Sequence, residues 1–211
     1  MTTDGNPTGT QATLQFFSKE EVDNLRGGDA PTRSEEEDWQ ANREELVKAN
    51  EKRDWFEVLR ILVYLSNKDG IPEAYKAMAQ AAWLVLKIQA PVTQVTLIFY
   101  NLLVSLTPKH RAGPAIASLA NLMSRHRTPD HPDRELAINQ AGQMLHYVAT
   151  TLDLDDQDAF QAFVEREHLN DPDHFLPLVM ETLDAMIRGD WWFDHHLVQE
   201  ELERDATRQS A

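Results

Sequence analysis

The sequence predicts an all-α protein, and three observations indicate that class. Apolar residues recur at helical rather than alternating spacing in each long segment. Residues that begin helices (Ser, Asp, Pro) and residues that end them (Gly) alternate at regular intervals. The one segment rich in β-branched residues, Val92–Leu106, has no evident strand partner. We expect a compact multi-helix bundle, with a short α-solenoid of antiparallel helix pairs as the alternative.

Two regions follow from composition: a flexible N-terminal arm over residues 1–33 and a single all-helical domain over residues 34–211. The first 13 residues are rich in Thr, Gly, Asn and Gln and are predicted to be disordered. A chain of 211 residues is long enough to fold without covalent staples, and it contains no cysteine.

The arm carries one local helix code. Ser18 and Glu21 form a capping box, and apolar residues stand at the two staple positions around it. This pattern predicts a short amphipathic helix over about 18–26. The helix would dock either on the chain's own domain or in a groove of a partner protein. Its proposed contact residues are Phe16, Phe17, Val22 and Leu25.

Eight or nine main helices are predicted within the domain. Ser34 with Glu37 and Asp54 with Glu57 form capping boxes, and several prolines stand where first-turn prolines are tolerated. Short loops between such helices make neighbours antiparallel. The predicted ranges are 35–50, 55–67, 72–88, 91–106, 114–127, 133–152, 156–168, 172–188 and 191–206.

The second and fourth of these helices are apolar nearly all round, so we place them at the centre of the domain. Ile88–Pro108 is uncharged over 21 residues, close to the length of a membrane span. Pro91 divides it, and a buried helix is therefore predicted, with no membrane span. The N-terminus lacks the basic start and apolar run of a secretory signal, and we expect a cytoplasmic protein.

Charge is distributed unevenly along the chain. The net charge is −15, yet Ala74–Pro129 contains no Asp or Glu. Binding of DNA or RNA requires clustered Lys and Arg, so no direct nucleic-acid partner is expected. The expected partner is a protein that is basic or that presents an amphipathic segment. A surface kept acidic only for solubility is the alternative.

The triplet Trp191, Trp192 and Phe193 is the predicted partner-binding site. Three consecutive aromatic residues on a helix cover about 200° of its circumference, so at least one would face away from a core on a single side. Aromatic residues of this kind are enriched at binding hot spots. The alternative is that the last helix is wedged between two neighbours, which would bury all three.

Histidines and glutamates near the C-terminus are candidates for a metal site. His196 and Glu200 are four residues apart on the last predicted helix, and Glu165 and His168 form one Glu-x-x-His spacing. A transition metal needs three or four convergent ligands, and the sequence provides pairs. Structural histidines are the alternative. The candidate ligands are His168, His195, His196 and Glu200.

Basic residues precede the fifth predicted helix. Lys109, His110 and Arg111 stand where free backbone N–H groups and the helix dipole favour an anion. They are the candidate anion site. The alternative is that basic residues around this helix pair with the acidic segments.

One motif resembles a known family. Asn170–Phe175, followed by Leu176–Val179, is similar to the short acidic Pro-Asp-His motif of the all-helical maturation chaperones for molybdenum enzymes, the TorD, DmsD and NarJ group. The resemblance covers about ten residues, and the motif lies nearer mid-chain in that family. It implies an all-helical fold and a chaperone for another protein.

No Gly-rich phosphate loop, nucleophile elbow or paired metal motif is present in the sequence. We therefore expect a non-enzymatic helical adaptor, chaperone or assembly factor without a cofactor. Three alternatives stay open: a metal-binding helical protein or enzyme, a maturation chaperone of the family above, and an acidic inhibitor of a nucleic-acid-binding protein.

Overall fold

The computed structural model describes residues 34–68, 70–107, 109–126, 132–154 and 156–209. Nine α-helices and no strand form this part of the chain, which confirms the all-α prediction. The predicted arm, with Phe16, Phe17, Val22 and Leu25, lies outside the described residues. The helices are α1 Glu35–Glu51, α2 Trp55–Ser66, α3 Ala74–Lys87, α4 Val92–Ser105, α5 Gly113–His126, α6 Arg134–Thr151, α7 Gln157–Arg166, α8 Pro172–Ile187 and α9 His195–Gln209.

The first two helices begin as their caps predict. Ser34 Oγ accepts the Glu37 N–H at 3.2 Å and the Glu37 carboxylate accepts the Ser34 N–H at 2.9 Å, which completes the capping box. Asp54 caps α2 through the Glu57 N–H at 3.1 Å. The Glu57 carboxylate pairs with Arg60 instead, so the second box is only half formed.

The centre of the bundle is α3, which packs against α2, α4, α8 and α9. Nine consecutive residues, Ala77–Val85, are buried. Four of them are alanines, whose small side chains let neighbouring helices approach from several directions. The prediction that α2 and α4 occupy the centre holds for one face of each helix, which supplies the fully buried Ile61, Leu62, Leu65, Ile98, Phe99 and Leu102. The opposite faces are open, because Phe56 of α2 is 54% exposed and Val104 of α4 is 43% exposed.

On one side of the bundle α4 and α6 lie next to each other with α5 behind them. Thr96 of α4 bonds to Gln140 of α6, and Lys109 just beyond α4 pairs with Asp153 just beyond α6. Both contacts join residues 44 positions apart, so the two helices run parallel in a fixed register. Within the described ranges, none of the helices combines the length and apolarity needed to cross a bilayer.

Candidate functional site

The segment between α8 and α9 contains the residues that end α8 and those that begin α9. Arg188 and Gly189 both adopt left-handed backbone conformations, with φ of 55° and 73°, and end α8. Asp194 then accepts the Leu197 N–H at 3.0 Å and caps α9. The last helix therefore begins at His195, and the prediction that it begins at residue 191 is wrong. Residues 191–193 lie in the connecting loop.

This loop joins an aromatic cluster that contains all five tryptophans of the chain. The rings of Trp39 and Trp192 meet edge to face at 5.8 Å, and those of Trp83 and Trp191 at 5.1 Å. Edge-to-face pairs contribute stability beyond the apolar area that they bury. The cluster joins α1, α2 and α3 to the C-terminal loop. Its members are Trp39, Trp55, Trp83, Trp191, Trp192, Phe193 and His195.

Two side-chain amides hold the loop backbone in place. The Gln80 side chain is fully buried; it accepts the Trp192 N–H at 2.8 Å and donates to the Asp190 carbonyl at 3.2 Å. Asn50 accepts the Asp194 N–H at 2.8 Å. Because backbone groups of this loop have no helical partners, these two side chains satisfy them and fix the path of the loop.

Two cations of the chain lie over rings of the cluster. The Arg43 guanidinium stands 3.7 Å from the centre of a Trp192 ring, and Lys87 stands 5.3 Å from Trp83. Burial lowers the pKa of Arg43, and the charge of Asp190 offsets part of that change. The cluster thus binds cations on its ring faces within the chain itself.

Three carboxylates lie beside the cluster, and two of them pair with cations. Glu201 accepts the Trp55 indole N–H at 2.6 Å and pairs with Arg53 at 3.3 Å. Asp190 pairs with Lys76, and this hydrogen bond holds the pKa of Asp190 below its usual value. The capping residue Asp194 is exposed.

His195 lies at the outer edge of the cluster. Its ring stacks on Trp191 at 4.1 Å and meets Trp83 edge-on at 6.0 Å. Burial is the main cause that lowers the pKa of His195, and the neighbouring His196 lowers it further. Trp55, Trp191 and His195 are each partly exposed, and we call these three side chains the aromatic rim.

The three residues of the predicted aromatic triplet differ in their solvent exposure. Trp192 is 9% exposed and Phe193 is 4% exposed, because both side chains enter the core between α1, α2 and α3. In this conformation they offer little surface to a partner, and partner binding by these two residues stays a prediction. Trp191 remains partly exposed, and partner binding there stays a prediction.

The predicted metal ligands are not brought together. His168 packs on His174 at 4.7 Å between ring centres, whereas Glu200 pairs with Arg204 at 2.9 Å on α9. His195 stacks on Trp191, with His196 beside it at 4.0 Å. No group of three or more ligating side chains that could hold a metal occurs in the described part of the chain.

The predicted anion site is occupied by ion pairs. Lys109 bonds to Asp153 at 2.9 Å and Arg111 to Glu181 at 2.7 Å. His110 Nδ1 accepts the Ala112 N–H at 3.2 Å just before α5. The neighbouring cleft between α4 and α6 has a volume of about 20 Å³, which is room for roughly one water molecule. Anion binding stays a prediction, and it would have to compete with these carboxylates.

The Pro-Asp-His motif forms the start of α8. Asp171 accepts the Asp173 N–H at 3.0 Å and bonds to His174 Nδ1 at 2.7 Å. The bond with His174, followed by that with the Asp173 N–H, lowers the pKa of Asp171. Phe175 enters the core. Each of these contacts is accounted for by capping and packing.

Reasoning from the sequence missed that Trp39, Trp55 and Trp83 join the C-terminal aromatic residues. Residues so far apart in sequence give no local signal of their contact. Gln80 was also missed, although a signal was present: it is the one amide in the otherwise apolar stretch Ala77–Leu86. Comparisons with protein-family models, with curated proteins and with solved structures find no match.

Proposed function

We propose that this protein is a non-enzymatic helical adaptor that binds a basic segment of another protein at the aromatic rim. The observation that supports the proposal is the rim itself. Partly exposed faces of Trp55, Trp191 and His195 lie among the carboxylates of Asp194 and Glu201. A cytoplasmic setting suits a chain without cysteine.

The chemistry of the rim favours a cationic partner. Arg43 and Lys87 already lie over tryptophan rings of the same cluster, so a Lys or Arg from a partner would meet the same kind of ring face on Trp191. The net charge of −15 would attract such a partner from a distance and speed its association. Contact at Trp191 would then supply a local anchor, as tryptophan does at many hot spots.

The scaffold behind the rim also suits binding. The Trp191 ring stacks on His195 and meets Trp83 edge to face, and the loop backbone is fixed by Gln80. Side chains that are ordered before binding lose little entropy when a partner arrives. The rim is thus a preorganised surface.

The test begins with affinity capture from the native source, using the wild-type protein and Trp191→Ala in parallel. A captured protein is then purified, and its dissociation constant is measured by calorimetry. We expect Trp191→Ala to weaken binding by at least about tenfold, in keeping with loss of a hot-spot side chain. Phe160→Ala, which truncates a partly exposed ring on α7 away from the rim, is the matched control and should leave the affinity unchanged.

Salt separates the adaptor from an acidic inhibitor of a nucleic-acid-binding protein. Binding anchored on aromatic rings should persist at raised ionic strength, whereas a purely electrostatic mimic should weaken steeply. The proposal is wrong if Trp191→Ala binds as tightly as wild type. It is also wrong if the purified protein turns over a substrate without any partner.

A further inference from the structure

One surface of the bundle carries no charge although the chain as a whole is strongly acidic. Helix α4 has no Asp, Glu, Lys or Arg, and α6 has none after Glu135. Both helices have exposed positions along their length. We define the α4–α6 face as Leu97, Tyr100 and Val104 of α4 with Leu136, Gln143 and Tyr147 of α6.

Helical geometry places these six residues on either side of one seam. Leu136, Gln143 and Tyr147 are related to Gln140 by helical spacing, and Gln140 contacts Thr96 of α4. This strip of α6 therefore runs beside α4. Leu97, Tyr100 and Val104 form the corresponding strip on α4, next to Thr96. Since the helices are parallel and in register, the two strips make one continuous surface.

Exposed apolar groups are concentrated on this face. Val104 is 43% exposed, Leu136 45% and Tyr147 36%. The other large apolar side chains exposed to this degree in the described residues are Val47, Phe56 and Tyr75, each on a different helix. Single exposed apolar residues are normal, but several together mark an interaction surface.

The charge of the chain identifies the partner that fits. Two copies, each with a net charge of −15, repel one another wherever their acidic surfaces would meet. The α4–α6 face is the surface on which two copies can meet without placing acid against acid. It also carries no charge with which to select a basic partner. We propose that two copies of this protein form a two-fold symmetric dimer through the α4–α6 face.

The size of the face is adequate for a weak dimer. The two helices are roughly 20 and 25 Å long and about 10 Å apart, which gives a projected surface on the order of 500 Å². A stable interface buries about 800 Å² on each partner, so this face falls at the lower end. We expect a weak dimer, with a dissociation constant on the order of micromolar and the same residues contributed by both copies.

The dimer does not depend on the proposed function. The rim is formed by α2, α9 and the loop before α9, and none of these elements is a main packing partner of α4 or α6. Each dimer would carry two free rims. A partner with two basic segments would then be bound with higher avidity than either rim provides alone.

The experiment measures the mass of the full chain in solution by sedimentation equilibrium over a concentration series. We expect the mass to rise from 24.1 kDa toward twice that value. Tyr147→Glu and Leu136→Glu each place a buried charge in the uncharged contact, once from each copy, and each should weaken the dimer by at least about tenfold. Val47→Glu, at a side chain 51% exposed on α1, is the matched control and should dimerise as wild type does.

Salt and amide exchange distinguish this dimer from nonspecific association. Raising the salt concentration should tighten the dimer, because it screens the mutual repulsion of the copies while leaving the uncharged contact intact. Amide exchange on α4 and α6 should slow as protein concentration rises. Circular dichroism verifies that both glutamate variants fold, and either folded variant suffices for the test.

Several outcomes would overturn the dimer. One is a monomer at every concentration up to the millimolar range. Another is a dimer that resists both glutamate variants or dissociates on addition of salt. Amide protection that is independent of concentration would show that the chain covers this face itself.

Discussion

The aromatic cluster and the α4–α6 face differ in solvent exposure, and in each case the exposure is opposite to what the sequence indicates. Apart from Trp83, the cluster draws on the acidic ends of the chain, yet Trp39, Trp192 and Phe193 are buried. The face belongs to two helices that are almost free of charge, and it leaves Val104 and Leu136 substantially exposed. In this protein the aromatic-rich segments are therefore largely buried against each other, whereas the uncharged helices α4 and α6 leave apolar side chains exposed to solvent.

The difference has a physical origin in how each region satisfies its backbone. The loop before α9 has no helical hydrogen bonds, so Gln80 and Asn50 supply partners for it, and burial of the aromatic side chains holds it down. Helix α4 satisfies its own backbone and needs burial on only one side. An apolar helix can thus remain at the edge of a bundle, provided that something else covers its other side.

The largest expected effect is that of Trp192→Ala, which removes a buried ring from the contact with Trp39 and Arg43. We expect the free energy of unfolding to fall by about 3–5 kcal/mol, as for other buried aromatic truncations. Urea denaturation followed by circular dichroism measures it. Phe56→Ala, at a ring 54% exposed, is the control and should cost about 0.5 kcal/mol or less. Similar decreases in the free energy of unfolding for both variants would contradict the burial of Trp192 in the cluster.

A smaller effect is expected for Gln80→Leu. The substitution preserves size but leaves the buried Trp192 N–H and the Asp190 carbonyl without their partners. Loss of such partners costs about 1–3 kcal/mol. Gln161→Leu, at an exposed position on α7, is the matched control, and the same denaturation experiment should show little change. A neutral Gln80→Leu would mean that packing alone holds the loop.

Much of the fold could be predicted from the sequence because helix ends have local codes. Ser34 with Glu37 and Asp171 with Pro172 lie within a few residues of each other, and both caps are present. The start of α9 was misplaced for an equally local reason. Gly189 and Asp190 look like a stop followed by a cap, but Asp194 is the residue that caps the helix.

The candidate site could be predicted only in part, because its contacts are long-range. Gln80 meets Trp192 across 112 positions of the chain, and Trp55 meets Glu201 across 146. No spacing rule connects such pairs. The exposure of α4 was missed for a related reason: a helix that is apolar all round can be enclosed by its own chain or by another, and its composition is the same in both cases.

The smallest expected effect concerns pH and the edge of the cluster. Burial lowers the pKa of His195, so between that value and the unfolded value of about 6.5 the unfolded chain binds the proton more readily. The stability that depends on neutral His195 is complete above about pH 6.5 and is lost as the pH falls through this window. His195→Phe keeps a flat ring against Trp191 and removes the titration. The difference in unfolding free energy between the two proteins, measured by urea denaturation from about pH 8 to pH 5, should therefore shift in favour of the variant as the solution becomes more acidic. If the two proteins' unfolding free energies changed in parallel with pH, the His195 imidazole would have the same pKa in the folded and unfolded states. The edge of the cluster would then be as open to water as the α4–α6 face.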